Sequence, residues 1–286
     1  MYLYSLTSQE IIKVSGEGRK DFLQPLVTCD LLQLSNGSAL YGAFLTPQGK
    51  IRTTFFLFEA KNELFLEVPK SQIENILKYL SKLKLRHKVN FAKSSLKAFA
   101  SPSLEKLSPK IKFSFKDPRA TELGWKLLSE DSHLSVAQKD EASYTEYLAK
   151  FGILSDTLIL QHRNTNYPSE MNLDLFHAIA WNKGCYVGQE VVARFHHRNL
   201  TKKRSFLLTS LQQKETLLTE DSDPTDRTLF TKEGKVAGSV IYETSSTSLL
   251  AFVLKTCWNE KIFQLKGEFF EKKNCLSYQK LKNILK

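Results

Sequence analysis

The stretch from Lys183 to Glu190 is the part of this 286-residue sequence whose residue types and spacing could do chemistry. Its residues are Lys183, Gly184, Cys185, Tyr186, Val187, Gly188, Gln189 and Glu190. The two glycines permit backbone conformations closed to other residues, so a tight turn there would bring the Lys183 amine close to the Cys185 thiol. A cation beside a thiol favours the thiolate, which is the nucleophilic form of cysteine.

A helix beginning near Gly188 would favour the thiolate further, through the positive end of its dipole. The residues alone leave a second interpretation equally open, in which Cys185 is a small buried apolar residue and the glycines only shape a connection. Tyr186 follows the thiol directly, so its packing would help to set how exposed Cys185 is. Glu190 and Asp174 either orient the lysine or cap helices.

A basic run follows this stretch and contains no acidic residue. It could bind a polyglutamate tail, an RNA backbone or an acidic protein face, because each offers oxygens to cationic side chains. A solvated linker explains the same run equally well. His196 and His197 interrupt it, but adjacent residues on a strand face opposite sides and no third ligand is in view, so we predict no metal site. The basic residues are Arg194, Arg198, Lys202, Lys203 and Arg204.

The elements that position these residues show strand and helix periodicities. In the first half, a β-branched and aromatic run over 52–58 and the alternating Leu64, Leu66 and Val68 predict neighbouring strands. Ser71 and Glu74 predict a capping box at the start of a helix with an apolar stripe. The pattern loosens over 93–116, where we place a lobe boundary. Short strand-like runs at 204–211, 228–231, 235–242 and 248–254 predict a small β-barrel.

Composition is that of an ordinary globular protein, with 42% hydrophobic and 25% charged residues. The sequence contains no apolar run long enough to span a membrane and no signal-peptide pattern, so we expect a cytoplasmic protein without a membrane partner. The four cysteines are widely spaced, which argues against a disulfide framework. The net charge of +11 favours encounter with polyanions, although scattered lysines also serve solubility.

The eight-residue stretch resembles the Lys-Gly-Cys-Tyr-x-Gly-Gln-Glu signature of the YgfZ family, folate-binding relatives of the T-protein of the glycine cleavage system. The segment from Pro168 to Asp174 is similar to the family's Pro-x-Glu-x-Asn-Leu-Asp segment. Phe22-Leu23-Gln24 with Thr28 and Asp30 resembles an amino-terminal family segment, and Asp117-Pro118-Arg119 resembles another. The resemblance covers most of the chain in the same order.

The resemblance implies an α+β fold with two ferredoxin-like lobes around a central folate-sized cavity, followed by a small β-barrel. The predicted domains are a folate-binding region at 1–203, a barrel at 204–265 and a basic tail at 266–286. The implied function is tetrahydrofolate-dependent support of iron–sulfur enzymes, including those that modify transfer RNA. The implied partners are folate, iron–sulfur assembly or client proteins, and transfer RNA itself.

The resemblance also implies roles for individual residues. Cys185 and Lys183 are the predicted reactive pair, within a motif loop that includes Gly184, Tyr186, Gly188, Gln189, Glu190 and Arg194. The predicted folate contacts are Gln24, Thr28, Asp30, Asn172 and Asp174.

Two departures from the T-protein enzymes argue against aminomethyl transfer. Thr53-Thr54 stands where those enzymes carry an Asp-Asp pair, and Ala149 to Gly152 lacks the acid of their Leu-Glu-Ala-Gly stretch. A threonine hydroxyl holds no negative charge at neutral pH. A one-carbon transferase would therefore need a substitute acid, with Asp30, Asp117 and Glu170 as the candidates. A second alternative is a non-catalytic RNA- or protein-binding adaptor that uses the basic run.

Overall fold

The computed structural model describes residues 2–35, 37–104, 110–132, 134, 136–212, 224–244 and 247–285. The strands described are β1 (Tyr2–Ser5), β2 (Gln9–Ser15), β3 (Ala39–Leu45), β4 (Ile51–Ala60), β5 (Glu63–Pro69), β6 (Asn90–Lys93), β7 (Lys97–Ser101), β8 (Ile111–Lys116), β9 (Trp125–Ser129), β10 (Ala137–Lys139), β11 (Lys203–Ser210), β12 (Thr228–Thr231), β13 (Val236–Glu243), β14 (Ser248–Leu254), β15 (Ile262–Leu265) and β16 (Glu268–Lys272). The helices are α1 (Arg19–Leu23), α2 (Ile73–Leu83), α3 (Glu141–Ala149), α4 (Asp156–Gln161), α5 (Gln189–His197) and α6 (Leu276–Leu285).

The first sheet has the strand order β3-β4-β5-β2-β6, and its pairs are antiparallel. Strand β4, which pairs with β3 on one side and β5 on the other, is buried on both faces, as its β-branched and aromatic composition favours. Phe55 and Leu57 pack in one cluster with the buried stripe of α2. Phe56 and Phe58, which alternate with them, belong to clusters shared with the second sheet and the barrel. This sheet therefore separates α2 from the rest of the molecule.

The start of α2 differs from the predicted capping box. Residues Lys70–Gln72 form a 3-10 turn, the helix begins at Ile73, and the N-cap residue Gln72 makes no side-chain capping bond. Glu74 instead forms an ion pair with Lys93 of β6. The apolar stripe itself is present, since Ile73, Ile76 and Leu80 are buried.

The second sheet has the order β10-β1-β7-β9-β8. Its strand β1 is the first of the chain and pairs with β10 and β7, whereas the next strand, β2, lies in the first sheet. The chain passes from the first sheet to the second between β6 and β7, at the beginning of the predicted lobe boundary at 93–116. Residues 105–109 of that range lie outside the described residues.

The carboxy-terminal strands form a closed barrel of order β11-β14-β13-β12-β15-β16, in which β16 pairs with both β15 and β11. The predicted barrel domain at 204–265 is therefore too short, because the last barrel strand ends at Lys272. The predicted basic tail at 266–286 accordingly contains β16 and α6. Three of the five residues of β16 are charged, which made this strand resemble a polar tail in the sequence.

Buried charged side chains join the two sheets. Lys126 of β9 forms an ion pair of 2.5 Å with Glu67 of β5, and both side chains are almost completely buried. Beside them, Arg119 makes a two-pronged ion pair with Asp117 and also donates to the Tyr144 hydroxyl. Packed and paired side chains thus form this part of the junction between the sheets. A cavity of about 680 Å³ opens at its margin, beside Asp117.

Candidate functional site

The motif loop is anchored at its first residue, because the Lys183 side chain is buried and its ammonium is fully bonded. Nζ donates to the backbone carbonyls of Gln24 at 2.6 Å, Val27 at 2.8 Å and Cys29 at 2.8 Å. These carbonyls come from the segment after α1, where a 3-10 turn gives way to extended backbone. Burial lowers the pKa of Lys183, and the nearby Cys29 and Asp30 partly oppose that shift.

This geometry corrects the predicted role of Lys183 as the cation that activates Cys185. An ammonium has three N–H donors, and three backbone carbonyls accept from this one. The titratable groups that influence Lys183 are Cys29 and Asp30, not Cys185. Lys183 is therefore a fastener that ties the motif loop to the segment 24–29.

The loop is held at its far end by backbone contacts. The Val187 N–H donates to the Pro25 carbonyl at 3.0 Å. Gly188 has a φ of +82°, and a Cβ there would lie 2.7 Å from the Thr46 carbonyl oxygen in the turn between β3 and β4. Gly184, the other predicted hinge, has no such φ, and a Cβ added to it would meet nothing within 4 Å. Of the two glycines in the motif loop, Gly188 requires glycine because of its positive φ and the close Thr46 carbonyl, and Gly184 does not.

The helix predicted to begin near Gly188 is α5, for which Gly188 is the N-cap residue. Its Glu190 forms an exposed ion pair of 2.7 Å with Arg194, one turn along the helix. Tyr186 is buried and packs with Ile179 and Val192, and burial raises the pKa of its hydroxyl to about 12. Tyr186 thus packs the loop against the core. Gln189, the first residue of α5, is half-buried.

Cys185, between these anchors, is exposed, whereas Cys29, Cys257 and Cys275 are buried, and all four are free thiols. Burial also raises the pKa of Cys29 to about 12, which keeps that thiol protonated at neutral pH. The structure therefore excludes the second of the two sequence interpretations, in which Cys185 is a small buried apolar residue.

We expect a thiol-specific reagent to modify the folded protein once, at Cys185. Iodoacetamide at pH 8 should add one group to the native chain and four to the chain unfolded in guanidinium, because accessible thiolate is the reacting form. Intact-mass spectrometry counts the groups, and Cys185→Ser should leave the native chain unmodified. Rapid native labelling at a second cysteine would contradict the burial of the other three thiols.

Three of the predicted folate contacts lie beneath the motif loop and have internal partners. Gln24 donates to the Asp30 carboxylate at 2.7 Å and accepts from the Leu31 N–H at 2.9 Å. Asp30 also caps the following 3-10 turn. Thr28 is completely buried and donates to the Ala178 carbonyl at 2.6 Å. These side chains organise the segment that receives Lys183.

The other two predicted folate contacts lie elsewhere, against the first barrel strand. Asp174 makes a two-pronged ion pair with Arg204 at 2.7 and 2.9 Å, and Asn172 donates to the Ser205 carbonyl at 2.7 Å. The five predicted side chains are thus divided between two places. Glu190 and Asp174 were predicted either to orient Lys183 or to cap helices. Their ion pairs serve neither purpose, since Glu190 pairs with Arg194 and Asp174 pairs with Arg204.

The acids considered as substitutes for a catalytic carboxylate also have structural bonds. Asp117 is paired with Arg119, Asp30 caps a turn, and Glu170 accepts from the Tyr167 N–H at 2.9 Å. Nothing in the sequence singles out Asp156, which is buried at the start of α4 and accepts from the hydroxyls of Tyr41 and Thr54. A serine cap before a short helix is the only local signal at that position.

The described ranges contain neither a side-chain cluster suited to a metal ion nor a helix that could span a membrane. Within those ranges, histidine, cysteine and acidic side chains do not gather in threes or more as a metal site would require. No helix in the described part of the chain has the length and apolar character needed to cross a membrane.

Comparison with known proteins gives relatives over most of the chain, although no family model matches it. The chain is 29% identical over 223 residues to the mitochondrial iron–sulfur cluster assembly factor IBA57 homolog of Pyricularia oryzae, covering 70% of this chain and 55% of that protein. It is 26% identical over 288 residues to the tRNA-modifying protein YgfZ of Aliivibrio fischeri, covering 93% of this chain and 89% of that protein. The chain thus spans about half the length of the fungal relatives.

Among solved structures, the aminomethyltransferase T of the glycine cleavage system from Bartonella henselae superposes with a TM-score of 0.71. The match covers 96% of this chain and 86% of that one at 13% identity, which is a likeness of fold. The mixed sheets followed by a closed barrel agree with it, and the α+β fold expected from the resemblance is confirmed. The chain is a homologue of the YgfZ and IBA57 proteins, built on the fold of the glycine-cleavage aminomethyltransferases.

Proposed function

We propose that this protein supports iron–sulfur enzymes, including enzymes that modify transfer RNA, by presenting the Cys185 thiol to a partner. The observation that carries the proposal is an exposed cysteine on a loop fastened at both ends, by Lys183 on one side and by Val187 and Gly188 on the other. The names of the homologues, a tRNA-modifying protein and an iron–sulfur cluster assembly factor, support this class of function.

The chemistry follows from the sulfur and its fixed position. Cysteine thiolates are the usual ligands of iron–sulfur clusters, and a [4Fe–4S] cluster takes four of them. One exposed cysteine supplies one ligand, so a partner protein would supply the others. Holding the loop rigid before binding reduces the entropy that is lost when the thiol meets its partner. Lys183 contributes by positioning, since its bonds end on backbone carbonyls.

Tetrahydrofolate is the cofactor that the resemblance implies. The five side chains predicted to contact it have bonds within the protein, so they do not fit an open folate site unless those bonds are exchanged. Folate binding therefore stays a prediction, as does the cytoplasmic location, and no chemical step of the proposal passes through folate. Aminomethyl transfer is not proposed, because the candidate substitute acids cap turns or are paired.

Complementation tests the role of the thiol. In cells lacking the native gene, Cys185→Ser should restore an iron–sulfur-dependent tRNA modification no better than the empty vector, because serine offers cluster iron no thiolate. Mass spectrometry of digested tRNA measures the modification. Asn182→Ala, an exposed change on the same loop, is the matched control and should restore it fully. Wild-type restoration by Cys185→Ser would remove the thiol from the proposed function.

A further inference from the structure

A cavity of about 360 Å³ lies beyond the motif loop, where the C-terminal half of α5 meets the 3-10 turn at Pro168–Met171 and the barrel. Its size is at the lower end of the range for ligand sites, about 300 to 1,000 Å³, and suits one small ring system. Aromatic and imidazole rings form much of its wall. These are Tyr167, Trp181, Phe195, His196, His197 and Trp258.

Trp181 is more exposed than the other tryptophan, tyrosine and phenylalanine rings of this wall. It lies nearly parallel to the His196 ring, with centroids 3.9 Å apart and planes at 22°. Yet 37% of its surface remains exposed, so the stack does not cover it. Burial lowers the pKa of His196, which keeps its ring uncharged at neutral pH. An exposed tryptophan already stacked on one side offers its other face to a flat ligand.

Arg204 lines the same cavity and is 5% exposed. Its terminal nitrogens bind Asp174, Asn172 and the Ser169 carbonyl. Its Nε is buried and has no hydrogen-bond partner. A buried donor without an acceptor costs free energy, so this arginine is held in place by the bonds of its terminal nitrogens.

The rim of the cavity is cationic. Arg198 and Lys202 are exposed and flank Asn199 and Thr201, which line the cavity. Exposed Lys255 reaches the same rim, where its Nζ donates to the Asn199 carbonyl at 2.6 Å. The structure thus divides the basic run of the sequence, with Arg194 and Arg204 paired to acids and Arg198 and Lys202 directed to solvent.

We infer that this cavity binds one unpaired base of a single-stranded RNA, which stacks on Trp181 while the neighbouring phosphates contact Arg198 and Lys202. A base offers a flat ring that can stack on Trp181, and the RNA backbone carries the negative charge that the rim attracts. The inference depends on the proposed function only for the choice of RNA as the polymer. The cavity itself does not involve Cys185.

A binding titration tests the inference. An eight-nucleotide single-stranded RNA of mixed sequence should bind the full chain and quench tryptophan fluorescence, in a Trp125→Phe background that leaves Trp181 and Trp258. Because stacking of one base contributes about 1 to 3 kcal/mol, Trp181→Ala should weaken binding by about tenfold or more. Trp181→Phe should retain most of the affinity. An RNA duplex should bind more weakly than the single strand.

Charge variants separate the base from the backbone. Lys202→Gln should weaken binding and flatten its salt dependence, whereas Lys61→Gln, the same change on the turn between β4 and β5, should do neither. Equal affinity of Trp181→Ala and the parent, or equal binding of duplex and single strand, would overturn the inference. Cys185→Ser should bind RNA like the parent, so loss of RNA binding and loss of complementation are separate failures.

Discussion

Replacing Lys183 by methionine is expected to lower the free energy of unfolding by about 3 kcal/mol. The carbonyls of Gln24, Val27 and Cys29 would lose a shared charged donor, and hydrogen bonds to charged groups each contribute about 1.5 to 3 kcal/mol. Part of the loss is recovered, because methionine has no ammonium to desolvate. Urea denaturation at pH 7 measures the difference.

Cys185→Ser is the matched control for this prediction. Its side chain is exposed, so its free energy of unfolding should stay within about 0.5 kcal/mol of the parent. Both variants should fail in complementation, but for different reasons: one loses the position of the loop and the other loses the sulfur. If Lys183→Met were as stable as the parent and still inactive, the ammonium would have a chemical role and the fastening role would be wrong.

The ion pair between the sheets carries the second large prediction. Lys126→Met leaves the Glu67 carboxylate buried without its cation, and breaking a buried pair in this way costs about 3 to 5 kcal/mol. The double variant Glu67→Leu with Lys126→Met should recover most of that loss, because no unpaired charge is left. Lys112→Met, which breaks an exposed pair with Glu130, should cost less than about 1 kcal/mol.

The pH dependence of Lys126→Met gives an independent check. Burial already raises the pKa of Glu67, and Lys126 is the main group that opposes the shift. Without Lys126 the folded-state pKa rises further above the unfolded value, so the folded state binds the extra proton as the pH falls. The destabilisation should therefore shrink towards pH 4.5 and be greatest above the folded pKa. A cost equal to that of Lys112→Met at pH 7 would contradict the buried pair.

Local pattern predicted the strands and helices whose signals lie within a few residues. The barrel strand β14 was predicted with its observed limits, and α5 begins directly after Gly188 as the glycine indicated. Strand β16 was missed, since charged residues at both of its ends resemble a polar tail and its pairing with β11 has no local signal. The position of β1 in the second sheet also has no local signal, because strand pairing is decided by partners far along the chain.

Local pattern likewise predicted some features of the candidate site and missed others. The sequence singled out Cys185 but placed Lys183 beside it, because neighbours in a turn are the only contacts that spacing can predict. It could not separate Trp181 from a core tryptophan, since exposure depends on which elements pack over the ring. Arg204 was grouped with a basic run, whereas its charge is used internally by Asp174.

The sequence by itself determined the strand and helix periodicities, the glycine at 188 and the single thiol of the motif loop, since each depends on residue type and on near neighbours. Only the tertiary structure decided that Lys183 fastens the loop and that Trp181 and Trp258 line one cavity. Lys183 and the Gln24 carbonyl are 159 positions apart. Contacts of that separation exist only after the sheets and barrel have docked, because docking brings those atoms within hydrogen-bonding distance.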